Sequence, residues 1–179
     1  MRVRILVVAL VAGISACGAP TAETAPRGQV PVTSASAEQG PALKAELTMQ
    51  GKPGLGLLAA TNQGSAPITF QGWPKLSFTD AAGERAAIPV EQKLVPGEGP
   101  SITLQPGQTA FAGVQLDVDD DTKSVAINEM TAELPGVPPA KVAFIGTDGR
   151  PISDLGTMKV SEAEVSTMQP SSQGVLAFG

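Results

Sequence analysis

Asp117, Asp119, Asp120 and Asp121 crowd into five positions, and carboxylates so close raise the question of a bound cation. Ca²⁺ takes six to eight oxygen ligands, and the helix-loop-helix calcium loop begins Asp-x-Asp-x-Asp. Asp117, Asp119 and Asp121 reproduce that beginning. The pattern then fails, because Thr122 stands where such a loop needs Gly for its sharp turn and Asn128 stands where it needs a bidentate Glu. No helical pattern flanks the run. The expectation is a solvated acidic turn, with Lys123 offsetting part of the repulsion; a weaker site that adds carbonyl oxygens from neighbouring turns is the alternative.

The other reactive residue is Cys17, the single cysteine of the chain. Arg2 and Arg4 form a positive start, Ile5 to Ile14 an apolar core, and Ser15 and Ala16 are small residues before the thiol. That is the layout of an export signal. The uncharged run from Ile5 to Cys17 has 13 residues, short of the roughly 20 that a helix needs to cross a bilayer. The order Ile14-Ser15-Ala16-Cys17 resembles the lipobox of bacterial lipoproteins. The resemblance implies a signal peptide over residues 1–16, cut before Cys17, and a diacylglyceryl group on the Cys17 thiol. With Gly18 after the cysteine, it implies the outer membrane as destination in a host with two membranes.

Loss of Arg2 and Arg4 with the signal leaves 10 basic against 17 acidic residues, a net charge of −7. Nucleic acid and anionic lipid both need clustered Lys or Arg. Neither is an expected partner, so contact with the membrane is expected through the lipid alone. Gly18 to Pro41 is rich in Ala, Pro, Ser, Thr and Gly, a composition that cannot bury enough apolar surface to offset chain entropy. With Cys17 it reads as a lipidated, flexible linker over residues 17–41, ahead of a domain over residues 42–179.

That domain reads as β throughout. "LKAELTM" puts Leu43, Ala45, Leu47 and Met49 on one face and polar residues on the other, the period of a half-buried strand. "LGLLA", "ITF", "KLSFT", "SITLQ", "TAFAGVQLDV", "SVAIN", "KVAFI" and "TMKVS" follow as short strands. Between them, "NQGSAP", "DAAG", "PGEGP", "QPGQ", "PGVPP" and "TDGR" carry turn residues. The expected fold is all-β, an antiparallel immunoglobulin-like β-sandwich. Leu47, Leu57, Leu76, Val114 and Phe144 are its expected core positions. The apolar alternation changes phase between Ile127 and Met130, which predicts a bulge near Asn128-Glu129.

"TNQGSAPITFQGWPKLSFTDAAGE", from Thr61 to Glu84, and "ITLQPGQTAFAGVQL", from Ile102 to Leu116, resemble a domain of unknown function, family 4232, found in secreted actinobacterial lipoproteins. The matching positions are Thr61, Asn62 and Gly64, then Gly72, Trp73 and Pro74, then Asp80 and Gly83, then Leu104, Pro106 and Gly107. Members often carry a cysteine shortly before the Gly-aromatic-Pro segment. This chain has Ile68-Thr69-Phe70 there, and no cysteine after Cys17, so an internal disulfide is excluded. The resemblance implies an envelope-exposed β-sandwich lipoprotein and brings no established activity. Gly64, Gly83 and Gly107 suit turns that need a positive φ or close backbone approach. Trp73, the only Trp in a chain without Tyr, is expected to plug the core or an edge rather than to serve as a ligand platform.

Catalysis finds little material. Without histidine there is no Ser-His-Asp triad and no His acid or base, and no Ser-x-x-Lys occurs. Paired carboxylates leave a hydrolase open in principle, yet one Trp and no Tyr give a sugar-cleaving cleft little to be lined with. "GTDGR", from Gly146 to Arg150, reads as a tight turn. Met49, Met130, Met158 and Met168 have no histidine to join them in a copper site and read as core fillers and tail residues. The expectation is a non-enzymatic binding module without cofactor or metal, its partner an envelope protein, peptide or glycan. A structural or accessory subunit packed constitutively on a larger envelope complex is the alternative, and a carboxylate-based hydrolase a lesser one.

Overall fold

The computed structural model describes residues 42–119, 122–175 and 178. The signal peptide, Cys17 and the linker, as well as Asp120 and Asp121, lie outside these residues. Among the described residues the protein is all-β and folds as twelve strands. These are Leu43–Met49 (β1), Leu55–Asn62 (β2), Ile68–Phe70 (β3), Lys75–Asp80 (β4), Arg85–Ala86 (β5) and Val90–Lys93 (β6). Ile102–Leu104 (β7), Thr109–Asp117 (β8), Val125–Glu133 (β9), Ala140–Ile145 (β10), Lys159–Val160 (β11) and Glu162–Ser166 (β12) complete them.

One sheet runs β5-β4-β9-β10-β1-β2-β8-β12-β6, with β11 joined to β9, while β3 and β7 form a separate pair. Its two end strands are close neighbours in sequence. Ala86 ends β5 and Val90 begins β6, and four residue steps reach no further than about 14 Å. The sheet is therefore curled, its ends brought together by the link that places Ile88 in the core. The wholly antiparallel expectation is corrected, because β1 with β10 and β6 with β12 run parallel. Alternation fixes which side of a strand is buried. It does not fix the direction of a neighbour that arrives by a long connection.

The alternating faces close on a single core. Leu47 is paired with Leu58 across β1 and β2, and both are fully buried with Val114, Leu116, Ile127, Met130 and Val165. Leu76 and Phe144 are buried as expected. Leu57 is not, and this position is corrected: Gly56, Leu58, Ala60 and Asn62 are the buried residues of β2. Leu57 faces outward and lines a groove of about 310 Å³ with Leu55, Val175 and Phe178. Gly113 floors that groove, since a Cβ there would collide with the Phe178 ring.

The predicted bulge is present. Thr79 pairs with Glu129 and Asp80 with Ile127, so Asn128 is skipped, and both Ile127 and Met130 stay inside. Leu76 pairs with Ala132 in the regular part of the same ladder. Leu76→Ala is expected to cost about 2–5 kcal/mol, as truncation of a buried Leu does. Chemical denaturation checks this, and an unchanged midpoint would contradict the packing of β4.

Candidate functional site

The acidic run is met only in part. Asp117 and Asp119 are exposed, and among the described residues no three His, Cys, Asp or Glu side chains gather into a metal-holding group. Asp117 lines a cleft of about 190 Å³ with Gln115, Glu162 and Glu164. Glu164 is already engaged, because its Oε1 lies 3.1 Å from Lys93 Nζ. Titration with millimolar calcium is expected to give no saturable heat and no rise in melting temperature. A saturable signal lost in Asp119→Asn would contradict the solvated-turn reading.

Each family motif has a structural task. Asn62, fully buried, donates from Nδ2 to the carbonyls of Ala66 (2.8 Å) and Leu104 (3.0 Å). Its Oδ1 accepts from the Gly64 N–H (2.9 Å), and its own carbonyl accepts from the Gly107 N–H (2.7 Å). One side chain thus ties the end of β2 to the entry of β3 and the exit of β7. Gly83 and Gly107 take positive φ, but Gly64 does not; its role is the N–H given to Asn62. Asp80 Oδ1 accepts from Ala82 and Glu84 and shapes the β4–β5 hairpin. Met130 and Met168 are fully buried, with Met49 and Met158 packed at the core's rim.

Trp73 leads to a feature that the sequence did not announce. It packs half-buried against the core, and its Nε1–H donates to the carbonyl of Lys93 (2.8 Å). Lys93 ends the edge strand β6, and its ammonium lies 2.7 Å from Glu91 as well as near Glu164. Glu91 first, and then Glu164, hold its pKa above the usual lysine value. Backbone and side chain of Lys93 are thereby both fixed.

The chain then runs irregularly from Leu94 to Pro100, and its carbonyls are caught at every second residue. Thr167 Oγ1 lies 2.9 Å from the Val95 carbonyl and 3.0 Å from that of Gly97, sharing its one proton between them. Gln71 Nε2 donates to the Gly99 carbonyl (3.1 Å). Thr167 is buried and is itself fixed by Gln169 Nε2 (3.1 Å). Gly99 has a φ of +75°, and a Cβ there would lie 3.1 Å from Thr167 Cβ and 3.2 Å from the Met168 carbonyl. The backbone rests directly on the strand exit beneath it.

With Lys93, Val95, Gly97 and Gly99 turned toward their holders, Leu94, Pro96, Glu98 and Pro100 are the exposed residues. Leu94 is 61 % exposed, and Val118 at 38 % is the other large apolar side chain exposed among the described residues. A loop whose main chain is restrained at four carbonyls displays an apolar side chain and a carboxylate in one defined arrangement. In the sequence, "PGEGP" reads only as turn residues. The loop's holders, Gln71, Trp73 and Thr167, come from distant parts of the chain.

An all-β domain built on a curled mixed sheet with a separate two-stranded pair, carrying a restrained irregular loop beside its edge strand, is the class of structure these observations define. The chain belongs to the family described as Domain of unknown function (DUF4232), whose model matches residues 30–169. No curated protein and no solved structure gives a significant match.

Proposed function

We propose that this protein is an exported lipoprotein, anchored by a lipid on Cys17, that presents a non-catalytic binding module in the cell envelope. We read the curled sheet as an immunoglobulin-like β-sandwich, with Ala87 to Pro89 carrying the chain from one layer to the other. The observation that carries the binding role is the loop from Lys93 to Pro100, fixed by Trp73, Thr167 and Gln71. Binding residues are disproportionately on loops that a rigid scaffold positions. A loop ordered in advance avoids the entropy that binding would otherwise cost.

The accessory-subunit alternative calls for a sizeable apolar surface, since constitutive interfaces are large and apolar. Leu94 and Val118, the exposed large apolar residues among those described, favour the binding module over it. Cross-linking the full chain in the intact envelope of the cell that makes it tests the proposal. A discrete species of higher mass is expected, and a chain that stays monomeric at every cross-linker concentration would contradict it.

A further inference from the structure

We propose that the loop from Lys93 to Pro100 docks on a second protein, which receives Leu94 in an apolar pocket and offers a basic side chain to Glu98. This rests on the binding-module reading and names the kind of partner. The argument runs through what the loop displays. Its exposed side chains are Leu94, Pro96, Glu98 and Pro100, three apolar groups and one carboxylate. Its carbonyls at 93, 95, 97 and 99 accept bonds from within the domain.

A glycan needs aromatic faces and free polar groups for its hydroxyls, but Trp73, which bonds the loop, is half-buried with its N–H engaged, and Phe70 beside Gln71 is buried. Nucleic acid and anionic lipid need positive charge, whereas the loop carries Glu98 and the mature chain is strongly acidic. A protein surface meets both demands. An apolar pocket takes the Leu94 side chain out of water, and a Lys or Arg at its rim complements Glu98. The restrained backbone makes Leu94 an anchor placed before contact, and such preorganised groups gain affinity because little freedom remains to be lost.

The test places the photo-cross-linker p-benzoylphenylalanine at Leu94, and separately at the exposed Asp148, in the full chain in its own cells. The expected result is one protein adduct from position 94 and little from position 148. Mass spectrometry of the joined peptide should find apolar residues beside Lys or Arg. In a Glu98→Lys background the adduct should fall about tenfold, because like charges then meet at the rim. Glu98→Lys alone, which keeps Leu94, should compete poorly with wild-type chain for the same adduct, so the proposal stays open to refutation even if the cross-linker disturbs the loop. Greater yield from 148 than from 94 would overturn the docking loop and leave the binding module standing; no adduct from either position would overturn both. An adduct to lipid, or one indifferent to Glu98→Lys, would overturn the partner chemistry.

Discussion

Asn62→Ala is expected to lower the unfolding free energy by about 3–5 kcal/mol, since each buried polar group stripped of its partner costs roughly 1–3 kcal/mol. The substitution strands two such groups, the carbonyl of Leu104 and the N–H of Gly64, and removes the partner of a third, the carbonyl of the exposed Ala66. Asn62 is fully buried, so water does not replace the lost amide without rearrangement of the turns around it. The backbone bonds of Asn62, to the Gln108 carbonyl (3.0 Å) and from the Gly107 N–H (2.7 Å), survive in the variant. Asn62→Asp discriminates further. It keeps an acceptor for Gly64 but turns a carboxylate oxygen toward two carbonyls, and should be at least as damaging. Thr61→Ala is the mild neighbour, losing one hydroxyl contact with Thr109 (2.8 Å), and should cost about 1 kcal/mol or less. Equilibrium denaturation of the three variants checks the ranking. An Asn62→Ala loss below about 1 kcal/mol, within the range of a single ordinary hydrogen bond, would contradict its role as the tie between the family's first and last motifs.

Much of the scaffold was legible because the signals were local. The alternation of β1 placed Leu47 inside, and the phase change after Ile127 located the bulge at Asn128. Leu57 misled because "LGLLA" offers two adjacent leucines, and only the pairing of Leu58 with Leu47 decides between them. Strand β6, "VEQK", was missed because it is polar and exposed at Glu91 and Gln92, as befits an edge. The "EAEVS" strand was missed although Ala163 and Val165 are its buried alternate residues. The fixed loop was illegible for a different reason. Thr167 reaches Val95 across 72 positions and Trp73 reaches Lys93 across 20, and nothing in "LVPGEGP" says which side chain will meet its carbonyls.

Cys17→Ala is expected to move the protein from the membrane fraction into the soluble exported fraction. Each buried CH₂ of an attached acyl chain contributes about 0.8 kcal/mol to membrane binding, and stable anchoring takes two chains or one chain with a second signal. A diacylglyceryl thioether meets that requirement by itself, and an acidic chain offers no polybasic patch to replace it. No helix among the described residues is long and apolar enough to cross a membrane. Fractionation followed by salt and carbonate washing reads the outcome, and a variant that stays with the membrane through both would show that lipid on Cys17 is not the anchor.

The most direct test of the central claim, that the restrained loop is the binding element of an envelope module, compares the full chain with Leu94→Asp after cross-linking in intact cells. Leu94 is largely exposed, so the substitution should leave stability within about 0.5 kcal/mol and the two chains should melt together. Placing a carboxylate where an apolar pocket is to be filled is expected to lower recovery of the cross-linked partner at least tenfold, about 1.4 kcal/mol of binding. Equal recovery from two equally stable chains would contradict the claim.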